Sequence, residues 1–512
     1  MRIVEKDGRF WTAWRVVLAL ALAKLLFHLA TYRGYGIFRD ELYYLACGRH
    51  LAFGYVEFPP MIAVLARAVT TVFGESLFAI RLLPMLAGAG SVVLVALIAR
   101  ELGGGRFGQA LAALAVICAP GWLAIDHTLQ TNAFDPLFWG GCAWLAIRAL
   151  KTGDSRYWLT FGAVAGLGLE NKHAMLFFGS GIFGGLLLTP ARKLFRQRNL
   201  WLGGAIAALL FLPNVIWEIR FGWPTLEFLH NAVRYKNAVL TPWQFLGSQL
   251  ELTGAAVLVG IAGLWFYFRD AHGKPYRALG WAFAIVLAAI FALGGKGYYV
   301  LPAYPMLLGA GAVEWEQRLQ PRALRWLKPA LVALMLAFTA AVAPMAVPLL
   351  PIESFVRYSA ALGFRPDIGE RLAQGRLPQY FADMLGWRNM AEQVARVFHQ
   401  LSPEEQAHAA IFAQNYGEAG AIDYFGPALG LPHAISGHNN YFLWGPGKAD
   451  PSVLIVIGGN PADARKIFGD VRAAGTITYP DMMPHENHRT IWVCRQPKYP
   501  LRLIWPKLKV YV

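Results

Sequence analysis

Charge is scarce in this 512-residue chain: 15% of its residues are Asp, Glu, Lys or Arg, against 56% hydrophobic. Ordinary globular domains carry about 25% charged residues, so a soluble domain is a poor fit. Cysteine is scarcer still. Cys47, Cys118, Cys142 and Cys494 are the only four, and they show no metal-ligand spacing. Cys118 and Cys142 fall in apolar blocks and read as small packing residues. Cys47 and Cys494 could pair if both lay outside the cytoplasm. The chain has no G-x-G-x-x-G, no P-loop and no H-E-x-x-H, which leaves nucleotide hydrolysis and zincin chemistry without support. It has no evident internal repeat. No small-residue cleavage site follows the first apolar block, which is therefore expected to be a retained helix.

What is present is a series of apolar blocks of about 18–25 residues, long enough to cross roughly 30 Å of hydrocarbon. Backbone groups in lipid must be satisfied within each segment, so the blocks predict a polytopic α-helical membrane protein. Spans are expected near residues 14–32, 77–99, 107–125, 133–150, 157–176, 176–190, 200–218, 244–268, 278–294, 299–314 and 326–350, eleven in all. The segment MIAVLARAVTTVFG after Pro60 is too short to span and is expected to lie on the surface or to re-enter.

The net charge of +16 does not point to nucleic acid. Basic residues group in every second loop: Arg100 and Arg106; Arg148, Lys151 and Arg156; Arg192 to Arg198; Arg269 to Arg277; Arg318 to Lys328. Arg2, Lys6, Arg9 and Arg15 add to the N-terminal end. This is the positive-inside pattern, and it predicts a cytoplasmic N-terminus. An odd number of spans then places the C-terminal segment outside. From about Ile352 onward long apolar blocks stop, and PSVLIVIGGN and TIWVCRQP read as strands. The expected organisation is a transmembrane domain over 1–351 and a soluble extracytoplasmic α/β domain over 352–512.

Acids next to lipid are costly and mark function by default. FRDELYYLACGRHLAFGYVEFPP places Asp40, Glu41 and Glu57 in one outer loop after the first span. Asp40 could be an N-cap for a short helix through Ala52. It could equally be a general base beside an orienting carboxylate, because an attacking hydroxyl has a high pKa and must lose its proton. DHTLQTNAFDPLFW places Asp126, His127 and Asp135 at another outer junction, where Asp135 before Pro136 suits a cap. Asn171-Lys172-His173 interrupts an apolar stretch, and GGKGYYVLPAYP brings Lys296, Tyr298 and Tyr299 together. Lysine suits a phosphate as a point charge.

FRDELYYLA followed by GYVEFPP resembles the first extracytoplasmic loop of GT-C membrane glycosyltransferases. Within these it is most like the family 39 protein mannosyltransferase-like group and the aminoarabinose transferases that modify lipid A. The order Asp-Glu, Glu-x-Pro-Pro, Asp-Pro, His loop and Lys-Tyr carries the resemblance over roughly residues 14–350, and more weakly beyond. It implies a GT-C fold and a polyprenyl-phosphate sugar donor. The acceptor would be extracytoplasmic: lipid A, protein or a cell-envelope glycan. It implies Asp40 as catalytic base, supported by Glu41 and Asp135. Lys296, Lys172, Arg234 and Tyr299 would bind the donor phosphate. Tyr55, Glu57, Asp126, His127 and Tyr441 would bind substrate. His230 is placed like a His that, with a first-loop acid, binds zinc in the aminoarabinose transferase. Glu57 and His230 are therefore candidate ligands for a divalent metal ion. Two ligands fall short of the four of a closed site, and protein mannosyltransferases of this fold need no metal. Glu57 is a departure, since many relatives carry Asp there. The expected location is a bacterial inner (plasma) membrane. The alternative is a transporter or flippase for a lipid-linked sugar, with no covalent chemistry. Against it, the ionisable residues gather at one surface rather than at mid-membrane in paired repeats.

Overall fold

The computed structural model describes residues 2–364, 370–373, 375–447 and 451–512, with side chains from Ala13 onward. The side chains of Arg2, Lys6 and Arg9 lie outside the described ones. The chain folds as two compact units, each assembled from separate stretches. One takes Met1–Gly34, Phe78–Trp217 and Val239–Pro351; the other takes Tyr35–Leu77, Glu218–Ala238 and Ile352–Val512.

The first unit is helical. Among the described residues six helices are long and apolar enough to cross a membrane: Ala13–Thr31, Leu77–Glu101, Arg198–Arg220, Pro242–Phe268, Lys274–Ala292 and Arg322–Ala346. A seventh is reached if Met175–Leu187 and Pro190–Arg196, bent by 109°, count as one span. The eleven expected spans are not reached by this measure because several apolar blocks are broken. The 107–125 block splits into Arg106–Ile117 and Pro120–Ile125. Ala119, ahead of a proline, is extended with ψ 116, and Pro120 has no N–H to continue the ladder. The 157–176 block stops at Asn171, where Lys172 turns extended. The 299–314 block opens as a 3₁₀ turn, Gly297–Ala303, before the helix Tyr304–Arg318.

Small residues let these helices approach closely, as is common where lipid offers no hydrophobic driving force between helices. A Cβ on Gly311 would run into the Val259 carbonyl, and one on Gly263 into that of Leu307. The helices Val257–Phe268 and Tyr304–Arg318 therefore touch backbone to backbone. Around them Trp122, Trp139, Trp158, Tyr267, Phe178 and Phe266 are among the largest buried side chains of one continuous apolar cluster.

The second unit carries a five-stranded sheet in the order β2-β1-β3-β5-β4. Its strands are β1 (Ala409–Ala413), β2 (Ala434–Ser436), β3 (Val453–Ile457), β4 (Phe468–Ile477) and β5 (Arg489–Pro497). β1 runs parallel to β2 and β3, while β5 runs antiparallel to β3 and β4. The all-apolar VLIVI of β3 is buried at every position, as a central strand covered on both faces requires. The positive φ of Gly458 and Gly459 then ends it. The four cysteines are free and buried, so the Cys47–Cys494 pairing is not formed. Cys494 instead packs in the sheet among Leu454, Val456 and Phe468. The Met61–Phe73 helix buries Ile62, Ala63, Ala66 and Val69 on one face, while Val64, Val72 and Phe73 are exposed.

Candidate active site

Asp40 lies in the first turn of the helix Arg39–Arg49, whose cap position is Phe38. The expectation of an Asp40 cap is therefore corrected by two residues, and the helix ends three residues before Ala52. The capping work falls to Glu41. Its buried carboxylate accepts the Phe38 N–H at 2.8 Å, one of the amides a helix start leaves unpaired. Glu41 thus faces its own backbone, and Asp40 is the acid left facing outward, with a side chain 30% exposed.

Asp40 is held on one oxygen. The Tyr416 hydroxyl donates to Asp40 Oδ1 at 2.8 Å, and Arg39 Nε lies 3.6 Å from the same atom. Oδ2 holds no hydrogen bond among the described residues. Tyr416 begins the helix Tyr416–Phe425, whose cap Asn415 accepts from the N–H groups of Gly417 and Glu418. Its ring is stacked between Tyr43, with centroids 4.5 Å apart, and His438, at 5.1 Å. Burial raises the Tyr416 phenol well above its ordinary range, with Arg39 opposing and Asp40 adding to the rise, so it remains a donor. His438 Nδ1 accepts the Tyr416 N–H at 3.3 Å. Burial, with Lys236 and Arg39 nearby, pushes the His438 imidazole down to about 3, so it is neutral. Arg39 is also anchored by Asp383, whose Oδ1 lies 3.7 Å away and whose carbonyl accepts the Arg39 N–H at 3.0 Å. Burial raises the Asp383 carboxyl to about 6.

The Glu57 loop belongs to the same unit. Asn440 Oδ1 accepts the Val56 N–H at 2.7 Å and the Tyr43 hydroxyl at 3.3 Å. Tyr55 is fully buried, and its hydroxyl ties the loop to the Cys47 carbonyl at 3.1 Å. Burial raises Glu57 to about 8; Lys236 pulls against it, Asp40 adds to it, and Arg39 opposes. Lys236 follows Arg234 in a π-helical turn, Ala232–Lys236. Tyr441 donates to Asp423 Oδ2 at 2.8 Å inside the fold. His230 is exposed on the helix Pro224–Asn231. Among the described residues no group of three or more His, Cys, Asp or Glu side chains could hold a metal ion. A half-buried Glu57 and an exposed His230, with no third described His, Cys, Asp or Glu grouped with them, do not make a fitting set of ligands.

The first unit holds two further polar clusters. Asp135 does not cap its helix, because the helix Thr131–Thr152 starts four residues earlier. Asn171 Nδ2 donates to Asp135 Oδ1 at 2.7 Å and to the Thr131 carbonyl at 2.9 Å. Lys172 bonds to Asn132 Oδ1, lies 3.9 Å from Asp135 Oδ2 and sits 4.4 Å from the Tyr299 ring centroid. Tyr298 is 6.0 Å from the same ammonium. Lys296 leads into the Gly297–Ala303 turn beside these tyrosines. The second cluster is Asp126, paired at 2.6 Å with Lys24 of the first span, both fully buried. His28 and His127 lie beside this pair, ring centroids 5.9 Å apart, also fully buried. A Cβ on Gly88 would run into the Asp126 carboxylate, so that glycine makes its room. Sequence reading missed Arg39, Asp383 and Lys24, and it singled out Asn171 without its partner Asp135. Lys24 had a signal, since it is a lone ammonium in an apolar span. Asp383 had none.

Comparison with known proteins places this architecture. A family model described as dolichyl-phosphate-mannose-protein mannosyltransferase matches residues 57–217. The lipid A galacturonosyltransferase RgtD of Rhizobium johnstonii is 28% identical over 270 residues, 52% of this chain and 54% of that protein. The chain thus spans about half the length of the curated relative it matches. ArnT from Cupriavidus metallidurans, solved with undecaprenyl phosphate, aligns at a TM-score of 0.57 and 16% identity over 94% of this chain and 98% of that one. The archaeal oligosaccharyltransferase AglB from Archaeoglobus fulgidus, in complex with an inhibitory peptide and a dolichol-phosphate, aligns at 0.51 and 14% identity, over 88% and 70%. At such identities the likeness is one of fold, and the GT-C resemblance read from the sequence is borne out.

Proposed function

We propose that this chain, a multi-pass membrane protein with the GT-C fold, is a glycosyltransferase that moves a sugar from a polyprenyl-phosphate donor to an extracytoplasmic acceptor. The observation that carries the reading is Asp40, fixed on Oδ1 by Tyr416 and Arg39 with Oδ2 left open. The acceptor hydroxyl gives its proton to Oδ2 as its oxygen bonds to the anomeric carbon. The bond from that carbon to the phosphate oxygen breaks, the electron pair leaves with the phosphate, and the anomeric centre inverts. A phosphate is a good leaving group, so a base and cations suffice.

Lys172 and Lys296, with Tyr299, are assigned to the donor phosphate, and Arg234 to the same role from its own loop. Asp135 orients Lys172, and Glu57 orients sugar or acceptor. Tyr55, Tyr441 and Glu41 act on the position of the groups around them. The buried Asp126 and His127 are given no contact with substrate. The N-terminus is assigned to the cytoplasm of a bacterium, and residues 352–512 to a domain outside its inner membrane. The lipid A acceptor of RgtD makes lipid A the first acceptor to try.

The test is transfer of labelled sugar from a polyprenyl-phosphate donor to lipid A or envelope glycan in proteoliposomes. Asp40→Asn is expected to lower turnover by about 10²–10⁴, the usual contribution of a general base. Unchanged turnover removes Asp40 from the mechanism. Lipid-linked sugar crossing the bilayer with no covalent transfer replaces the reading with a flippase.

A further inference from the structure

The sheet of the second unit holds a cavity that the catalytic reading does not use. It has a volume of about 250 Å³ and lies at the carboxyl ends of the parallel neighbours β1 and β3. Strand side chains alternate between faces. On one face Leu454 and Val456 are covered by Ala464 and Ile467 of the helix Pro461–Ile467, which follows β3. The opposite face is covered by the helix Trp387–His399, which packs on β3 and β4 and against Tyr416–Phe425, the helix that follows β1. The chain thus leaves β1 and β3 toward opposite faces. A crevice between two such strands is where open α/β sheets bind their ligands.

The lining has a definite chemistry. Phe412 and Trp492 supply aromatic surface, and the Trp492 indole N–H is buried with no hydrogen-bond partner among the described residues. A buried donor without an acceptor is costly, and a ligand oxygen toward which the ring turns would relieve it. Gln414, Asn460 and Asp463 stand at the polar end. Asn460 spends its oxygen on the Ala462 N–H, leaving its NH₂. Asp463 spends one oxygen on Lys466, leaving the other. No Lys, Arg or His lines the cavity among the described residues, and one carboxylate does. That excludes a phosphate or a uronate on charge grounds. Aromatic faces, planar side-chain donors and acceptors, and one unpaired N–H match a ring with apolar C–H faces and equatorial hydroxyls.

We infer that this cavity is a binding site for a neutral pyranose ring, separate from the Asp40 site and independent of the reaction assigned to it. The test uses the full chain in nanodiscs free of glycoside detergent. Saturation-transfer NMR is run with the methyl pyranosides of glucose, galactose and mannose as probes. At least one is expected to bind saturably, about fivefold more weakly to Trp492→Phe, as one lost hydrogen bond would give. Ala464→Phe, which fills the cavity, is expected to abolish binding, and Asp40→Asn to leave it unchanged. Gln414→Leu provides a second weakened variant should Ala464→Phe not fold. Three outcomes overturn the site. One is equal signals from wild type, Trp492→Phe and Gln414→Leu. Another is binding lost in Asp40→Asn alone. The third is occupancy by 1-hexanol with no pyranoside bound.

Discussion

The Tyr416 hydroxyl donates to Asp40 Oδ1 at 2.8 Å, joining residues 376 positions apart in the chain. Tyr416→Phe keeps the ring stack with Tyr43 and His438 and removes only this bond. A hydrogen bond to a charged group is worth about 1.5–3 kcal/mol. Turnover in the transfer assay is therefore expected to fall roughly tenfold or more, with a modest drop in thermal midpoint from the same lost bond.

Glu57 supplies a pH signature. Its folded pKa, about 8, is raised above its ordinary value, so it is neutral below that point and charges as pH rises through it. The pH profile of kcat/KM is expected to bend near 8 in the wild type and to lose that bend in Glu57→Gln. The stability that comes from holding Glu57 protonated is lost over the same rise. The thermal midpoint of the wild type should therefore fall away below that of Glu57→Gln, which cannot ionise, between about pH 5 and 8.

His438 acts at the acid end. Its folded pKa of about 3 lies below the ordinary 6.5, so the unfolded chain binds more protons between the two. Stability is then lost as pH falls through that window. Asp383, raised from 3.8 to about 6, works in the opposite sense and offsets part of the loss. Thermal midpoints at pH 7 and 4.5 are expected to differ less in His438→Gln than in the wild type. An equal difference in both proteins removes His438 as the acid-sensitive group.

Lys24 and Asp126 test the first unit. Breaking a buried pair from one side leaves an uncompensated charge and costs about 3–5 kcal/mol. Lys24→Met and Asp126→Leu should each lower the thermal midpoint in detergent sharply, and the double variant should recover most of it. Additive losses would mean the two side chains act separately.

Much of this was legible in the residues. Apolar blocks exposed the membrane class, and the all-apolar run of β3 exposed a buried strand. FRDEL stood out because carboxylates beside apolar blocks need a reason. The span count was not legible, because hydropathy windows average over breaks such as Ala119-Pro120 and Lys172. Asp126 and His127 looked like surface groups because their loop is polar. Their burial follows from Lys24, about a hundred residues earlier, and no local spacing encodes that partner. The same holds for Tyr416 and Asp383, which meet Arg39 and Asp40 only through the tertiary fold.

The second unit takes its first piece from Tyr35–Leu77 and its last from the C-terminal stretch. A ribosome adds about 5–20 residues per second, so Tyr416 is made roughly 20–75 s after Asp40. Until then the Arg39–Arg49 helix has neither its stacking partner nor the sheet. Assembly of this unit thus has a built-in order: the apolar helices up to Ala346 are made first, and Asp40 gains its partner only after Tyr416 has followed them. A chain stalled before Tyr416 therefore lacks the hydrogen bond that fixes Asp40 Oδ1.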